Sequence, residues 1–271
     1  MSNSLSDWTT FGIGGEARNI SVARSIGALA ELSADGLVLG KGSNVLVSDD
    51  GYDGNVVINR YEEIVRNGNI VEVGSGTGVP RLCAFLADEG LSGLEWAAGI
   101  PGTVGGAVVM NAGAFGGSTS DRLLYADVLR GGKLVRLDKA ELGFGYRTSG
   151  IVDSDTVLRA AFKLDKGNPR VIAAKCRDYN RIRREKQPAG KSAGSVFKNP
   201  RGASVGAILD RAGLKGLRLG GAEISQKHAN IIVNTGGASA SDVVGLIRIM
   251  KAVLIENGVD AQEEIRYIGG F

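Results

Sequence analysis

The chain has 271 residues, of which 43% are hydrophobic and 23% charged, and its formal net charge is +3. These values are ordinary for a globular protein with a substantial core, and they argue against a disordered chain or a nucleic-acid-binding protein. The two cysteines have no metal-ligand spacing and there is one histidine, which predicts a reduced cytoplasmic protein without a metal site. Glycine is the exception, with 42 residues, about twice its usual share.

The first 165 residues are predicted to form mainly short strands separated by turns. Apolar runs bounded by Gly, Asn and Asp predict strands at residues 37–39, 45–47, 56–58, 64–66, 70–73, 124–130, 133–137 and 157–164. Asn67-Gly68 and Gly131-Gly132 predict two hairpin turns. Helical spacing over residues 79–89, with Pro80 near the start and Gly90 after the end, predicts one helix in this part.

The character of the chain changes near residue 166. Residues 170–186 predict a long basic helix, residues 204–212 a short helix, and residues 229–233 a strand. Residues 241–257 predict a helix with Ser241 as N-cap and Gly258 after its end, followed by a strand at 264–268. We therefore expect an α+β protein with one domain at 1–165, itself split near residue 60, and a smaller domain at 166–271.

Three common signatures of nucleotide-binding proteins and hydrolases are absent. Glu185 stands where a P-loop ending at Gly190-Lys191-Ser192 needs its first glycine. Residues 12–17 loosely fit the dinucleotide fingerprint, but no apolar strand precedes them. No serine lies in the G-x-S-x-G frame of a hydrolase.

Two glycine-rich segments without an acidic residue remain, GKGSN at 40–44 and GIPGTVGGAVVMNAGAFGG at 99–117. The second is a poor membrane span because it contains Pro101, Asn111 and seven glycines and lacks basic flanks. Either loop alone could be only a tight turn. Together they predict a site for a pyrophosphate-bearing cofactor, because consecutive backbone N–H groups form anion-binding concavities. Side-chain donors would be added by Ser43, Asn44, Thr103 and Asn111.

Other polar segments have both a functional and an ordinary interpretation. Residues 192–200 (SAGSVFKNP) could be a polar connector, Arg147 beside Tyr146 a surface cation on a ring, and residues 263–266 (EEIR) an exposed edge strand. His228 fits a hydrogen-bonded loop residue better than a base. The basic run at 177–186 fits a solvated helix face better than an RNA site, although it could present a cation to a diphosphate.

In order along the chain, the segments TTF (9–11), GKGSN, GIPGTVGGAVVMNAGAFG, YRTS (146–149), AGSVFKNP (193–200), AEISQKHAN (222–230) and EIRYIG (264–269) resemble one family. It is the family of UDP-N-acetylenolpyruvoylglucosamine reductases of bacterial cell-wall synthesis. The similarity covers almost the whole chain, and GIPGTVGGA together with GSVFKNP is highly specific. The absence of an insertion in the C-terminal part resembles the compact subtype, which lacks the substrate-covering tyrosine loop.

The resemblance implies FAD, bound by an FAD-binding fold of the vanillyl-alcohol-oxidase/PCMH type that is followed by a smaller α+β substrate-binding domain. The cofactor-binding residues that it implies are Gly40, Lys41, Gly42, Ser43, Asn44, Ile100, Pro101, Gly102, Thr103, Val104, Gly105, Gly106, Asn111 and Gly113. The substrate-binding residues that it implies are Tyr146, Arg147, Lys198, Asn199, Gln226 and His228.

The chemistry implied is a hydride relay. NADPH reduces FAD, and the flavin then passes hydride to the enolpyruvyl ether of UDP-N-acetylglucosamine. By the family pattern, Arg147 stabilises the negative charge that develops, Glu264 assists at the substrate carboxyl, and Ser195 donates the proton. The partner is thus a small molecule, with no nucleic acid or membrane, and we expect a monomer.

The chain departs from the family pattern at three positions. Gly12 replaces a frequent arginine, Glu263 replaces a proline before the catalytic glutamate, and Asn230 stands where glycine is frequent. Two other functions remain open, a flavin oxidase that uses another electron acceptor and a non-catalytic flavin or nucleotide-sugar sensor. An oxidase has no carbanion to protonate, and a sensor does not need Arg147, Ser195 and Glu264 together.

Overall fold

A computed structural model describes residues 3–271 and confirms the α+β class. The helices are α1 Ile26–Leu32, α2 Val79–Asp88, α3 Val104–Val109, α4 Thr119–Arg122, α5 Pro169–Lys186, α6 Val205–Arg211 and α7 Ala240–Glu256, with 3-10 turns at Leu5–Trp8 and Glu95–Ala97. The strands are β1 Ala17–Ala23, β2 Gly36–Leu39, β3 Val45–Val47, β4 Tyr52–Asn59, β5 Ile64–Asn67, β6 Ile70–Gly74, β7 Leu91–Ser92, β8 Gly113–Ala114, β9 Gly117–Ser118, β10 Leu123–Arg130, β11 Lys133–Asp138, β12 Thr156–Lys163, β13 Asp165–Lys166, β14 Arg218–Leu219, β15 Ala222–Ile224, β16 Ile232–Asn234 and β17 Arg266–Ile268.

Packing divides the chain into two compact units, and the chain passes between them several times. Unit 1 contains residues 3–19, 42–55 and 184–271, and unit 2 contains residues 20–41 and 56–183. The division into domains at 165/166 remains a prediction, and the packing units differ from it. Most of helix α5 belongs to unit 2, and segments from before residue 60 occur in both units.

Unit 2 is built on a five-stranded antiparallel sheet with the order β11-β10-β12-β6-β5. The predicted hairpins are present: β5 and β6 join through Gly68 at φ +63°, and β10 and β11 join through Gly131 and Gly132 at φ +56° and +73°. Two consecutive positive φ values match the turn that suits the twist of a two-residue hairpin. The apolar residues of β6, β10 and β12 share one core with those of α2 and α3.

Unit 1 has a separate core formed by helices α6 and α7 with β15, β16 and the segment around Phe197. Strand β3, residues 45–47, pairs in parallel with β17, residues 266–268, near the end of the chain. Helix α7 begins at Ala240, and its N-cap is Ser239 rather than the predicted Ser241. Ser239 and Asp242 form a reciprocal capping box, and this spacing is the one the motif requires.

Two predicted strands are shorter than expected. The strand predicted at 229–233 begins only at Ile232, and the strand predicted at 264–268 begins only at Arg266. Residues before them instead form isolated bridges, Ser195 with Ile231 and Phe197 with Glu263. Helix α3 was not predicted, because two of its six residues are glycine, which disfavours a helix in isolation.

Candidate active site

The glycine-rich segment 99–117 of unit 2 folds as a turn, the helix α3 and the hairpin of β8 and β9. Thr103 caps the helix, with its Oγ1 accepting a hydrogen bond from the N–H of Gly106. The N–H groups of Val104 and Gly105 donate to the carbonyls of Thr77 and Ser75. The N–H groups of Val104, Gly105 and Gly106 thus all have acceptors within the protein.

Glycine at position 105 is required by packing against the neighbouring segment. A Cβ atom there would lie 2.9 Å from Cβ of the buried Ser75. By contrast, within residues 3–271 no hydrogen bond uses the backbone N–H of Gly102 or Thr103. These two N–H groups are therefore the donors that the start of α3 still offers to a ligand. Ile100 is half-buried against the core, and Pro101 is exposed.

The predicted cofactor residues of the first loop lie against this segment within unit 2. A Cβ at Gly40 would lie 2.4 Å from Oγ1 of Thr103, so only glycine allows this close approach. The ammonium group of Lys41 lies against Gly78, 2.9 Å from the position a Cβ would take there. Gly78 forms an antiparallel bridge with Thr103. Unit 2 thus brings Gly40, Lys41 and the start of α3 together.

Backbone strain in unit 2 concentrates around Gly113. Within residues 3–271, the non-glycine residues with positive φ are Asn111, Phe115 and Arg147. Arg147 donates from Nη2 to the carbonyl of Gly113 at 2.7 Å, and Asn111 donates from Nδ2 to the carbonyl of Gly145 at 2.9 Å. Asn111 therefore ties the glycine segment to the loop that carries Arg147. Such strained residues cluster at functional sites, where the surrounding structure must hold them.

Arg183 on helix α5 is a residue whose position the sequence did not reveal. Its side chain packs against Gly99, where an added Cβ would lie 2.7 Å from Cδ of Arg183. The guanidinium of Arg183 lies 5.8 Å from the centre of the Phe115 ring. That ring also stacks on Tyr179, with centroids 4.8 Å apart. Burial lowers the pKa of Arg183, and the guanidinium of Arg147 lowers it further. Arg183 is thus not part of a solvated helix face, in contrast to the exposed Arg184 and Lys186.

In unit 1, the segment that carries Ser195 lies beside the segment that carries Glu264. The N–H of Glu264 donates to the carbonyl of Val196 at 2.7 Å, and Phe197 bridges to Glu263. Ser195 and Glu264 are both half-buried. Two of the three predicted catalytic residues therefore occupy adjacent backbone segments.

The neighbouring Glu263 has a different environment from Glu264. Its carboxylate accepts a hydrogen bond from the hydroxyl of Tyr267. Burial raises the pKa of Tyr267, and the hydrogen bond to Glu263 raises it further. The backbone N–H groups that bind across this bridge belong to Lys198 and Glu264, so position 263 contributes none.

Two asparagines hold these segments in place. Asn44 donates from Nδ2 to the carbonyl of Glu264 at 2.9 Å. Asn230, buried and 2% exposed, donates from Nδ2 to the carbonyl of Phe197 at 2.8 Å and accepts at Oδ1 from its N–H at 3.0 Å. The role of Asn230 was not predicted from the sequence. Its only sequence signal was its departure from the family pattern.

The remaining predicted residues of the first loop lie in unit 1. Gly42 is buried at φ +58°, and a Cβ there would lie 2.6 Å from the carbonyl oxygen of Trp8. Its own carbonyl accepts from the N–H of Thr10. Ser43 is half-buried. Glycine is therefore needed at 42 for the backbone packing itself.

The predicted substrate-binding residues of unit 1 are spread over several loops. Lys198 is half-buried, and its N–H donates to the carbonyl of Gln262. Asn199 accepts at Oδ1 from the N–H of Val205, at the start of α6. The exposed Gln226 lies against Gly216. In unit 2, Tyr146 is 57% exposed, with the Arg147 guanidinium 5.3 Å from its ring.

His228 is half-buried and packs on Gly206, where an added Cβ would lie 2.9 Å from Cε1 of His228. Its Nδ1 accepts a hydrogen bond from the N–H of Asn230, which places the proton of the neutral ring on Nε2. Burial lowers the pKa of His228, and the nearby Lys215 also lowers it. The neutral form, with its N–H at Nε2, is therefore favoured.

Among residues 3–271, no group of three or more His, Cys, Asp or Glu side chains could hold a metal ion. Within the same residues, no helix has the length and apolar character needed to span a bilayer.

Comparison with known proteins places the chain in a family. The profile of the UDP-N-acetylenolpyruvoylglucosamine reductase C-terminal domain matches residues 186–268, and the profile of an FAD binding domain matches residues 20–138. UDP-N-acetylenolpyruvoylglucosamine reductases of Rubrobacter xylanophilus and Thermotoga petrophila are 41% and 42% identical to the chain. Each alignment covers 98% of the chain, with 93% and 97% of the respective relatives. The crystal structure of the Thermus caldophilus UDP-N-acetylenolpyruvylglucosamine reductase superposes with a TM-score of 0.88 at 39% identity, covering 98% of this chain and 97% of that one. The chain therefore belongs to the UDP-N-acetylenolpyruvoylglucosamine reductase family.

Proposed function

We propose that the protein reduces the enolpyruvyl ether of UDP-N-acetylglucosamine to UDP-N-acetylmuramate, with NADPH as the reductant and FAD as the bound cofactor. The observation that carries the proposal, beyond family membership, is the hydrogen bond between Glu264 and Val196. It supports the proposal because it joins the backbone segment that carries Ser195 to the segment that carries Glu264. The reaction belongs to cytoplasmic peptidoglycan precursor synthesis, and we expect the enzyme to act as a monomer.

The residues of unit 2 fit a dinucleotide with a pyrophosphate. Gly40 and Gly78 leave no side chain between the loop and the start of α3, and Lys41 supplies a cation. The N–H groups of Gly102 and Thr103 are available as donors, and no acidic residue occurs in the segment 99–117. When bound, FAD accepts a hydride from NADPH and returns it to the substrate. The proposed FAD-binding residues are those of the two glycine-rich loops.

Arg147 is proposed to stabilise the negative charge that develops on the enolpyruvyl group. A guanidinium that is already held in place needs no reorganisation when charge appears, and this makes electrostatic stabilisation effective. The hydrogen bond to Gly113 and the positive φ of Arg147 indicate such a fixed position. We assign Tyr146, Lys198, Asn199, Gln226 and His228 to substrate binding.

Ser195 is proposed to donate the proton that completes the product. A serine hydroxyl is a weak acid, but a carbanion or enolate is a much stronger base than the alkoxide, so the transfer is favourable. Glu264 would hold the substrate carboxyl through a shared proton. Asn44 and Asn230 keep the backbones of these two segments fixed.

The function is tested by the absorbance of the flavin in the absence of oxygen. NADPH should bleach the flavin band, and the enolpyruvyl UDP-sugar should restore it. A band that never bleaches, or that returns without the sugar, would rule out the proposed reaction.

The assignment of Ser195 is tested by separating the two half-reactions. Ser195→Ala should leave flavin reduction by NADPH unchanged and slow substrate-dependent reoxidation by about 100-fold or more. Ser192→Ala is the matched control, because its hydroxyl makes no hydrogen bond within residues 3–271. Reoxidation at the normal rate in Ser195→Ala would remove Ser195 from the mechanism.

A further inference from the structure

The peptide bond between Gly40 and Lys41 is held by a residue from another strand end. Arg60 follows strand β4, and its Nη1 donates to the carbonyl of Gly40 at 3.3 Å. The backbone of Arg60 is itself fixed, because its N–H donates to the carbonyl of Ala23 at 2.8 Å. All of these residues belong to unit 2. The guanidinium therefore reaches from a fixed strand end to the glycine loop.

This contact determines which way the peptide faces. The chain has no cis peptide bond among residues 3–271, so the carbonyl of Gly40 and the N–H of Lys41 point in opposite directions. With the carbonyl held by Arg60, the N–H of Lys41 is directed to the other side of the peptide. If the peptide were rotated, the partial negative charge of the carbonyl would replace the N–H on that side.

The side chain of Lys41 adds a positive charge near the same peptide. Its ammonium lies against Gly78, and it donates no hydrogen bond and forms no ion pair within residues 3–271. Gly40 itself packs against Oγ1 of Thr103, which restricts how far the loop can shift. Two cationic side chains thus flank one constrained glycine, and the arrangement suits a diphosphate.

We propose that Arg60 is a positioning residue for the cofactor: it orients the Gly40–Lys41 peptide so that its N–H, with the Lys41 ammonium, binds the diphosphate of FAD. The inference rests on the proposed function and assigns a role to a residue outside both glycine-rich loops. It requires that loss of the hydrogen bond to Gly40 weakens binding of the diphosphate and leaves binding of the flavin ring unchanged.

The test is the dissociation constant of FAD, measured by flavin fluorescence on protein freed of flavin, with riboflavin as the ligand that lacks the diphosphate. Arg60→Met keeps the apolar stem and removes the donor, and it should weaken FAD binding by about tenfold or more. Arg60→Lys keeps a donor of similar reach and should stay within about threefold of the wild type. Arg81→Met is the matched control, because Arg81 lies in the same unit and pairs with Glu62 at the surface.

Salt separates orientation of the peptide from simple attraction by charge. Charge attraction is screened at high ionic strength. If Arg60 acts by orientation, the ratio of the FAD dissociation constants of Arg60→Met and the wild type should therefore persist at about 0.5 M salt. The inference is overturned if that ratio disappears in salt, if riboflavin binding falls as much as FAD binding, or if Arg60→Met binds FAD normally. A wild type that binds FAD but fails the bleaching assay contradicts the proposed reaction alone, and one that binds no FAD contradicts both.

Discussion

Replacing Asn230 with alanine should destabilise the protein through the backbone of Phe197. The amide of Asn230 makes two hydrogen bonds to Phe197, at 2.8 and 3.0 Å, and both residues are almost fully buried. A hydrogen bond contributes about 0.5–1.5 kcal/mol net, and a buried group left unpaired costs about 1–3 kcal/mol. Since alanine leaves the N–H and the carbonyl of Phe197 without their partner, we expect a loss of about 2–4 kcal/mol.

The loss is measured as the free energy of unfolding in urea, with the slope of the transition compared between variants. Asn257→Ala is the matched control, because that asparagine also donates to a backbone carbonyl but lies exposed at the end of α7. The control should lose less than about 0.5 kcal/mol. If Asn230→Ala were no less stable than the control, the two bonds to Phe197 would not be contributing to stability and the reasoning would be wrong.

Three further predictions concern titratable groups of unit 1. Burial alone would raise the pKa of Asp49, but its hydrogen bonds from Ala240 and Ser241 hold the pKa below the usual value. The ionised Asp49 therefore stabilises the folded protein above about pH 4, and this contribution is lost as pH falls through the lowered pKa. Asp49→Asn should therefore lower the free energy of unfolding near pH 7 and flatten the acid limb of the stability profile, whereas an unchanged acid limb would contradict it. Burial lowers the pKa of His228, so wild-type stability should fall as pH drops below about 6.5, and urea unfolding of His228→Gln should lack that decline. Glu264→Gln should slow substrate-dependent flavin reoxidation by about tenfold or more, while Glu263→Gln, whose carboxylate binds Tyr267, should not; the reverse order would move the assignment to Glu263.

Elements with local signals were predictable from the sequence. The hairpin at Gly131-Gly132 needs positive φ at two adjacent positions, and two glycines supply it without a long-range partner. Helix α2 begins near Pro80 and ends before Gly90, again for local reasons. The motif residues Ser195 and Glu264 were found through family resemblance, and their roles remain predictions; their backbone segments are joined by a hydrogen bond.

Features that depend on distant partners were not predictable. Ser241 resembled a helix cap, but its hydroxyl binds Asp49, which is far away in the sequence, and the cap is Ser239. Helix α3 forms in spite of its glycines because Thr103 caps it and Gly105 packs on Ser75. The clamp of Asn230 on Phe197 likewise joins segments whose proximity only the fold determines.

The interleaving of the two units has a consequence for synthesis on the ribosome. Residues 3–19 leave the ribosome before any part of unit 2, yet their unit also contains β17 at Arg266–Ile268. All residues of unit 2 have been made once position 183 is reached, so this unit can fold while the other still lacks most of its core. Strand β3, which pairs with β17, must wait through more than two hundred intervening residues for its partner. The early segments of unit 1 are therefore synthesised well before the residues that they pack against. During this interval they are the part of the nascent chain that is exposed to aggregation for the longest time.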